Sequence, residues 1–312
     1  MKALKVFAGC CLLGVFSSSL LAAEDASCQK TRIGVVGWTD VVATSAVAAT
    51  LLEGLGYQTK QITASQQIIF SGIDKQQIDF FLGYWKPAMD SNIKPFLDKG
   101  QVKVFAEPSL KNAITTLAVP SYAAEQGLRT FADIAKFKDQ LGGKIYGIEP
   151  GTGANSTIQK MIDSNQFGLG DFKLIESSEA AMLAAVGRAN ARKEPIVFVG
   201  WKPHPMNIQL QMTYLTGSED VFGVNEGAAS VSTVTAPNYA ERCPNVNRLL
   251  TNLAFTAEQE SQLMEPIMAR EDAKAVARKW LKDNPQVLRR FLDGVTTVDG
   301  RSGTDSVLAV LQ

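Results

Sequence analysis

The sequence predicts an α/β fold in which strands and helices alternate in two successive sets. Apolar runs of strand length end at three of the chain's four tryptophans, Trp38, Trp85 and Trp201. Helical stretches rich in alanine and leucine separate the runs, and this order is typical of a parallel sheet flanked by helices. In such sheets the ligand crevice lies beyond the carboxyl ends of the strands. The three tryptophans are therefore predicted to line one crevice.

Composition narrows the function classes. The 312 residues, 46% of them hydrophobic, are enough for one large core or two domain-sized cores. Basic and acidic residues balance at 31 each, so there is no basic excess that would indicate nucleic-acid binding. The only histidine is His204, which excludes a metal site of several imidazoles and is expected to be a packing or hydrogen-bonding residue just beyond the pocket. No cofactor is expected.

The N-terminus has the pattern of a cleaved secretory signal over residues 1–23. Lys2 and Lys5 precede an apolar run over 6–21, and Ala22-Ala23 supplies small residues for cleavage. The run is short for a membrane span, so export is favoured over anchoring. Lipoprotein processing at Cys10 is an alternative, although almost no apolar sequence precedes it.

Cysteine usage agrees with export. Once residues 1–23 are removed, only Cys28 and Cys243 remain. One pair in an oxidising compartment predicts a disulfide. Two unpaired buried thiols are the alternative.

The first α/β set is predicted from the start of the mature chain. Its strands are expected over 32–37, 57–63, 78–85 and 102–105, and its helices over 40–55, 65–77 and 90–100. Composition shifts near residue 113, and the extended run 113–119 is closed by Pro120. This run predicts a crossing between two lobes, with lobe A formed by 24–114 and 214–312 and lobe B by 115–213.

The second set repeats the alternation. Thr130 is predicted to cap a helix that reaches residue 140, with Asp133 at its third position. Strands are expected over 144–148, 172–175 and 196–201, helices from the glycine-rich turn to 166 and over 178–192, and a return crossing over 212–215. Four helices are expected over 247–253, 257–270, 272–281 and 285–292. Residues 300–312 carry no strong pattern and are expected to form a loose tail.

The tryptophans indicate a cation site. Aromatic faces attract cations by roughly 0.5–2 kcal/mol per ring, and a quaternary ammonium has no conventional donors for polar partners. Each tryptophan taken singly would be a core residue, but their shared position after strand runs favours a pocket wall. Asp40 could cap the following helix, face the cation with its carboxylate, or do both.

A glycine-rich turn, Pro150-Gly151-Thr152-Gly153-Ala154-Asn155-Ser156, joins a strand to a helix. Glycines allow close backbone approach, and free N–H groups at a helix start favour an anion or a hydroxyl. Thr152 and Gly153 are therefore candidate contacts for the polar end of a ligand. The turn lacks the Lys-[Ser/Thr] ending of a P-loop.

Four motifs together resemble the choline, glycine betaine and carnitine-binding proteins of ABC transporters. They are Gly37-Trp38-Thr39-Asp40, Phe81-Leu82-Gly83-Tyr84-Trp85, Lys144-Ile145-Tyr146-Gly147-Ile148-Glu149-Pro150-Gly151 and Gly200-Trp201-Lys202-Pro203-His204-Pro205-Met206-Asn207. The resemblance covers roughly residues 28–298 and is strongest to the choline-binding branch. It implies a two-lobe type II periplasmic-binding-protein fold that closes on its ligand.

The resemblance also implies the site and the partners. Trp38, Trp85 and Trp201 would cage a quaternary ammonium, Asp40 would contribute charge, and Asn155 would hydrogen-bond the ligand's polar end. The protein would act in the periplasm as a monomer that serves an ABC permease with its ATPase. The choline-binding branch has a fourth aromatic, a tyrosine in the crossing strand, and the matching position here is Thr115. This departure leaves open whether choline, carnitine or glycine betaine is preferred.

Two other functions stay open from the sequence. One is a receptor of the same fold for a solute without a quaternary centre, such as an amino acid. The other is a secreted α/β enzyme, against which the absence of a G-x-S-x-G nucleophile elbow argues.

Overall fold

The computed structural model describes Glu24 and residues 26–311. The predicted signal peptide, residues 1–23, lies outside the described residues. Within the described part, no helix combines the length and the apolar character that crossing a membrane requires.

Among the described residues, ten strands form one mixed sheet. They are β1 (Lys30–Val35), β2 (Gln58–Thr63), β3 (Phe80–Lys86), β4 (Lys103–Val104), β5 (Leu110–Pro120), β6 (Lys144–Tyr146), β7 (Lys173–Ile175), β8 (Phe198–Lys202), β9 (Met212–Tyr214) and β10 (Ala228–Thr235). The main path runs β2-β1-β3-β10-β5-β8-β6-β7, with β4 paired to β10 and β9 paired to β5.

The sheet has a parallel group at each end. Strands β2, β1 and β3 are parallel neighbours, as are β8, β6 and β7. Strands β10 and β5 lie between the groups and pair antiparallel with them and with each other. The α/β class predicted from the sequence is confirmed. Residues 113–119, for which a crossing was predicted, lie within the long strand β5. The assignment of residue ranges to two lobes stays a prediction.

Helices cover the sheet and build the C-terminal part. They are α1 (Thr39–Gly54), α2 (Gln66–Asp74), α3 (Asp90–Leu97), α4 (Ser121–Glu125), α5 (Phe131–Ile134), α6 (Lys138–Leu141), α7 (Gly153–Asp163), α8 (Glu179–Arg192), α9 (Met206–Gln209), α10 (Val224–Gly227), α11 (Tyr239–Arg242), α12 (Pro244–Asn252), α13 (Ala257–Met268), α14 (Ala273–Asp283), α15 (Pro285–Phe291) and α16 (Gly303–Leu311). Short 3₁₀ turns occupy 26–29, 135–137 and 166–168.

Helix α1 is the central helix of the first half. Its Ala, Val and Leu residues are spread around the helix, and twelve of its sixteen residues are buried. A helix of that kind must be covered on every face, and α13, α14 and α16 pack around it beside the sheet. The loose tail expected over 300–312 is therefore wrong up to residue 311. Helix α16 buries Val307 and Leu311, and Val307 contacts Gly54 at the end of α1.

Strand β10 was not predicted, although it lies in the middle of the sheet. Its sequence, Ala-Ala-Ser-Val-Ser-Thr-Val-Thr, carries few large apolar side chains. Threonine and valine are nevertheless good strand formers. Long-range pairing with β3 and β5 therefore decides this element, because its local pattern is weak.

Cys28 and Cys243 are adjacent in the structure and both are buried. Their Cα atoms lie 5.6 Å apart, within the range of disulfide geometry. The N-terminal segment is thereby placed next to the loop before α12.

Candidate ligand-binding site

The three tryptophans meet because of the strand registers. In the first half Gly34 pairs with Phe81, so Trp38 and Trp85 stand equally far beyond this pair at one edge of the sheet. In the second half Tyr146 pairs with Phe198, and the same reasoning brings Glu149 level with Trp201. These two edges face each other across one cleft.

A pocket lies in this cleft, between the two parallel groups of strands. Its lining is mostly apolar and aromatic and consists of Trp38, Asp40, Trp85, Ala88, Met89, Thr115, Ile148, Thr152, Gly153, Ala154, Val199 and Trp201. The structure thus brings together seven of the eight residues predicted for the ligand site. The three tryptophans are each only 5–6% exposed, so the cleft is closed over them.

The indole nitrogens of two pocket tryptophans are bound to carboxylates. Trp85 donates from Nε1 to Oδ2 of Asp40 over 2.8 Å, and Trp38 donates from Nε1 to Oε2 of Glu149 over 2.7 Å. Trp201 instead packs edge-on against His204, with ring centroids 4.7 Å apart. Each ring is therefore fixed by a polar or aromatic neighbour.

Asp40 is not the N-cap of α1, in contrast to one of the two roles predicted for it. The helix begins at Thr39 and the cap position belongs to Trp38, so Asp40 is the second helical residue. The Oδ1 atom of Asp40 is buried and finds no hydrogen-bond partner among the described residues. Burial, followed by the charge of nearby Glu179, raises the pKa of Asp40 to about 6. This carboxylate is therefore short of positive partners.

Two glutamates missed in the sequence analysis connect the halves behind the pocket. Glu179, the first residue of α8, accepts from the backbone N–H of Thr39 over 3.0 Å and from the Thr39 hydroxyl. Glu149 binds Trp38 and also accepts from the backbone N–H of Glu179 over 3.0 Å. The sequence signal for Glu179 was ambiguous, because an acidic residue in a first helical turn is common for local reasons alone.

His204 is both a buried hydrogen-bonding residue and a packing residue, which are the two roles predicted for it. Its Nδ1 accepts from the backbone N–H of Met206 over 3.0 Å, so the proton of the neutral ring lies on Nε2. That nitrogen is 3.1 Å from Oε1 of Glu179 and donates to it. His204 thus links Glu179 to the ring of Trp201.

The glycine-rich turn approaches the first half closely. Thr152 caps α7 by accepting from the N–H of Asn155, and a Cβ at Gly153 would overlap the carbonyl of Ala88. The Gly151 carbonyl accepts from the side-chain amides of Gln66, Gln67 and Asn92 on α2 and α3. The absence of a side chain at Gly153 therefore allows the two sides of the cleft to approach each other closely.

Asn155 is the predicted site residue that the structure places outside the pocket. Its Oδ1 accepts from the N–H of Ile148, and its Nδ2 donates to two backbone carbonyls and to Glu176. These bonds hold the turn between β6 and α7. The hydrogen-bonding atoms of the Asn155 side chain are therefore occupied within its own turn in this arrangement, and the contact from Asn155 to the ligand stays a prediction.

Thr115 lies on the wall predicted for it. In the antiparallel pair of β5 and β8 it stands directly opposite Trp201. Tyr122, the nearest tyrosine in sequence, donates instead to the carbonyls of Ala189 and Glu194. No tyrosine is among the described residues that line the pocket. Among the residues described, no group of three or more His, Cys, Asp or Glu side chains could hold a metal ion.

Two α/β groups closed around an aromatic pocket define a solute-binding protein of the type II periplasmic class. The family described as the substrate binding domain of the ABC-type glycine betaine transport system, OpuAC, matches residues 29–283. The chain belongs to this family. Its class is therefore that of transporter substrate-binding proteins and not of enzymes.

Solved structures extend the comparison. An ABC-transporter choline binding protein in complex with choline is 44% identical, covers 92% of this chain and 99% of its own, and superposes with a TM-score of 0.89. The unliganded semi-closed form of such a protein gives 45% identity over 91% and 99%, with a TM-score of 0.83. The present conformation is thus closer to the liganded form.

A curated relative is more distant. The glycine betaine/carnitine transport binding protein GbuC of Listeria monocytogenes is 32% identical over 61% of this chain. The matched region spans 64% of GbuC, somewhat less than two thirds of that protein.

Proposed function

We propose that this protein captures a quaternary ammonium compound in the cage of Trp38, Trp85 and Trp201. The observation that carries the proposal is the charge of the pocket. Asp40 is the one charged residue among the described pocket-lining residues, and it is buried with an unpaired oxygen. Three aromatic rings and one carboxylate suit a bulky organic cation.

The scarcity of acceptors favours a quaternary over a primary ammonium. A primary ammonium carries three donors that need partners when buried. Besides Asp40, the side-chain acceptors on the wall are the hydroxyls of Thr115 and Thr152, and Thr152 already accepts from Asn155. A methylated ammonium needs none of these and buries its methyl groups against the rings.

Choline is the ligand that the pocket fits best. Its hydroxyl can donate to the free Oδ1 of Asp40, whereas the carboxylate of glycine betaine or carnitine would bring a second negative charge beside Asp40. The 44% identity to a protein solved with choline supports the same order. Glycine betaine, the ligand in the family's description, and carnitine are the other candidates.

Delivery to an ABC permease with its ATPase is the role we propose in the cell. Family membership supports it. The predicted signal peptide would place the mature protein in the periplasm. There the protein would be a monomer with a Cys28–Cys243 disulfide. Residues 24–114 with 214–312 would form one lobe and 115–213 the other. Closure would occur by hinge motion at the strands between them.

A thermal-shift panel tests the proposal. The mature protein is heated with choline, glycine betaine, carnitine and, as a matched control, ethanolamine, which is the primary-amine analogue of choline. We expect choline to stabilise most and ethanolamine least. Ligand at a hundred times its dissociation constant should add about 2.7 kcal/mol to the free energy of unfolding. No shift with any quaternary compound would overturn the proposal.

A further inference from the structure

Glu179 forms hydrogen bonds across the cleft without lining the pocket. We infer that Glu179 is a positioning residue that caps helix α1 from the opposite half and holds the pocket closed around its ligand. The inference rests on the proposed function and adds a role to a residue outside the ligand cage.

Helix α1 has no cap of its own. Trp38 stands at the cap position and its side chain makes no capping bond. The first N–H groups of a helix have no partner within the helix, and the positive end of its dipole favours an anion there. Glu179 supplies that anion, with Oε2 accepting from the N–H of Thr39 and Oε1 from its hydroxyl.

The two partners belong to opposite sides of the cleft. Thr39 follows β1 in the first parallel group, and Glu179 follows β7 in the second. Separation of the halves would break both bonds to Thr39. It would also break the bond from Trp38 to Glu149, because Glu149 follows β6. The cap of α1 and the orientation of Trp38 therefore exist together in the closed form.

The carboxylate of Glu179 depends on this closed environment. The residue is 5% exposed, and a buried charge is tolerated only when donors surround it. Its donors are the two groups of Thr39 and the Nε2–H of His204, which packs on Trp201. The chain from Thr39 through Glu179 and His204 thus connects the start of α1 to the cage ring of the other half.

A double-mutant cycle on choline binding tests the inference. The variants are Thr39→Val, Glu179→Gln and the two combined. Thr39→Val removes the hydroxyl donor. Glu179→Gln removes the negative charge and replaces one accepting oxygen by an NH₂ group that faces donors. Thr39→Ser keeps the hydroxyl and is the matched control. Stopped-flow and calorimetry give the dissociation rate and Kd, and denaturation without ligand gives the stability of the unliganded protein.

We expect Glu179→Gln to speed choline dissociation by about tenfold or more, since bonds to charged groups are among the stronger ones. The double variant should match Glu179→Gln, because the Thr39 hydroxyl acts on closure only through its bond to Glu179. Thr39→Ser should behave as wild type. The free energy of unfolding without ligand should change less than the free energy of choline binding, which a purely structural role within one half would not allow.

The outcomes separate this inference from the proposed function. Wild-type protein that fails to bind choline, glycine betaine or carnitine overturns the proposed function and the inference with it. Wild-type binding together with wild-type dissociation in Glu179→Gln overturns the inference alone. Additive effects of Thr39→Val and Glu179→Gln on the free energy of choline binding also overturn it. So does a loss of unfolding free energy without ligand that is as large as the loss of binding free energy.

Discussion

The indole N–H of Trp85 donates to the carboxylate of Asp40 across 2.8 Å, and both residues are buried in the pocket wall. The bond joins β3 to the first turn of α1. It occupies one oxygen of Asp40 and leaves the other facing no donor among the described residues. The carboxylate therefore orients an aromatic ring while keeping the capacity to accept from a ligand.

Loss of Trp85 should weaken binding of every quaternary ligand. In Trp85→Ala the cation–π attraction and the apolar contact are both lost, and we expect a cost of about 1–3 kcal/mol in titration calorimetry. Trp280→Phe is the control, because Trp280 lies on α14 and its Nε1 donates to Gln262 instead of reaching the pocket. Equal affinities of wild type and Trp85→Ala would refute the cage.

Choline affinity should fall at acid pH. The ammonium of choline does not titrate, so a change reports on the protein. The pKa of Asp40 is raised from 3.8 to about 6 by burial, and the carboxyl is therefore neutral below that pH in the unliganded protein. We expect Kd to rise up to about tenfold per pH unit below 6. Asp40→Asn should bind more weakly above this pH and flatten the profile.

The same pKa predicts the opposite trend for stability without ligand. A folded-state pKa above the unfolded value means that the folded protein holds more protons between pH 3.8 and about 6. The contribution of Asp40 to the free energy of unfolding therefore decreases as pH rises through that window. Comparing wild type with Asp40→Asn isolates it. A difference that stays constant over the window would contradict the raised pKa.

A single methyl group at Gly153 should prevent closure. Its Cβ would overlap the backbone carbonyl of Ala88, which belongs to the other side of the cleft. We expect Gly153→Ala to bind choline weakly and to show no compaction in small-angle scattering when ligand is added. Gly187→Ala is the matched control on α8, because a Cβ there meets nothing within 4 Å. Normal compaction of Gly153→Ala would argue against this closed geometry.

Thr115 should affect the ranking of ligands. It stands opposite Trp201 in the pocket wall, and neighbouring Thr116 alternates to the other face of β5. Thr115→Tyr would add the fourth aromatic ring of the choline-binding branch. We expect it to change the order of choline, carnitine and glycine betaine in calorimetry, while Thr116→Val leaves the order as in wild type. An unaltered order in Thr115→Tyr would show that this wall does not contact the ligand.

The exported protein should contain a Cys28–Cys243 disulfide. Closing a loop of 215 residues stabilises the fold by at most about 5 kcal/mol in the chain-entropy model. Denaturation in the presence of a reductant, or of Cys28→Ser, should therefore begin at lower denaturant concentration. Mass spectrometry that finds two free thiols in exported material would contradict the pairing.

Much of the fold could be predicted from local pattern. The apolar runs before Trp38, Trp85 and Trp201 became strands β1, β3 and β8, and their common ending located the pocket. Such runs are informative because buried parallel strands need continuous apolar sequence. Strand β10 was not predicted because its alanine and serine residues and its shortage of large apolar side chains give a weak local signal.

The sequence by itself determined most of the strands and helices and the chemistry of the pocket wall, which consists of three tryptophans, Asp40 and a glycine-rich turn. Only the tertiary structure decided that Asn155 is consumed by its own turn and that Glu149 and Glu179 cross the cleft. The physical reason is the distance along the chain between the interacting residues. Strand and helix patterns are written in neighbouring residues, whereas a carboxylate finds its donor more than a hundred positions away only when the chain has folded and the cleft has closed.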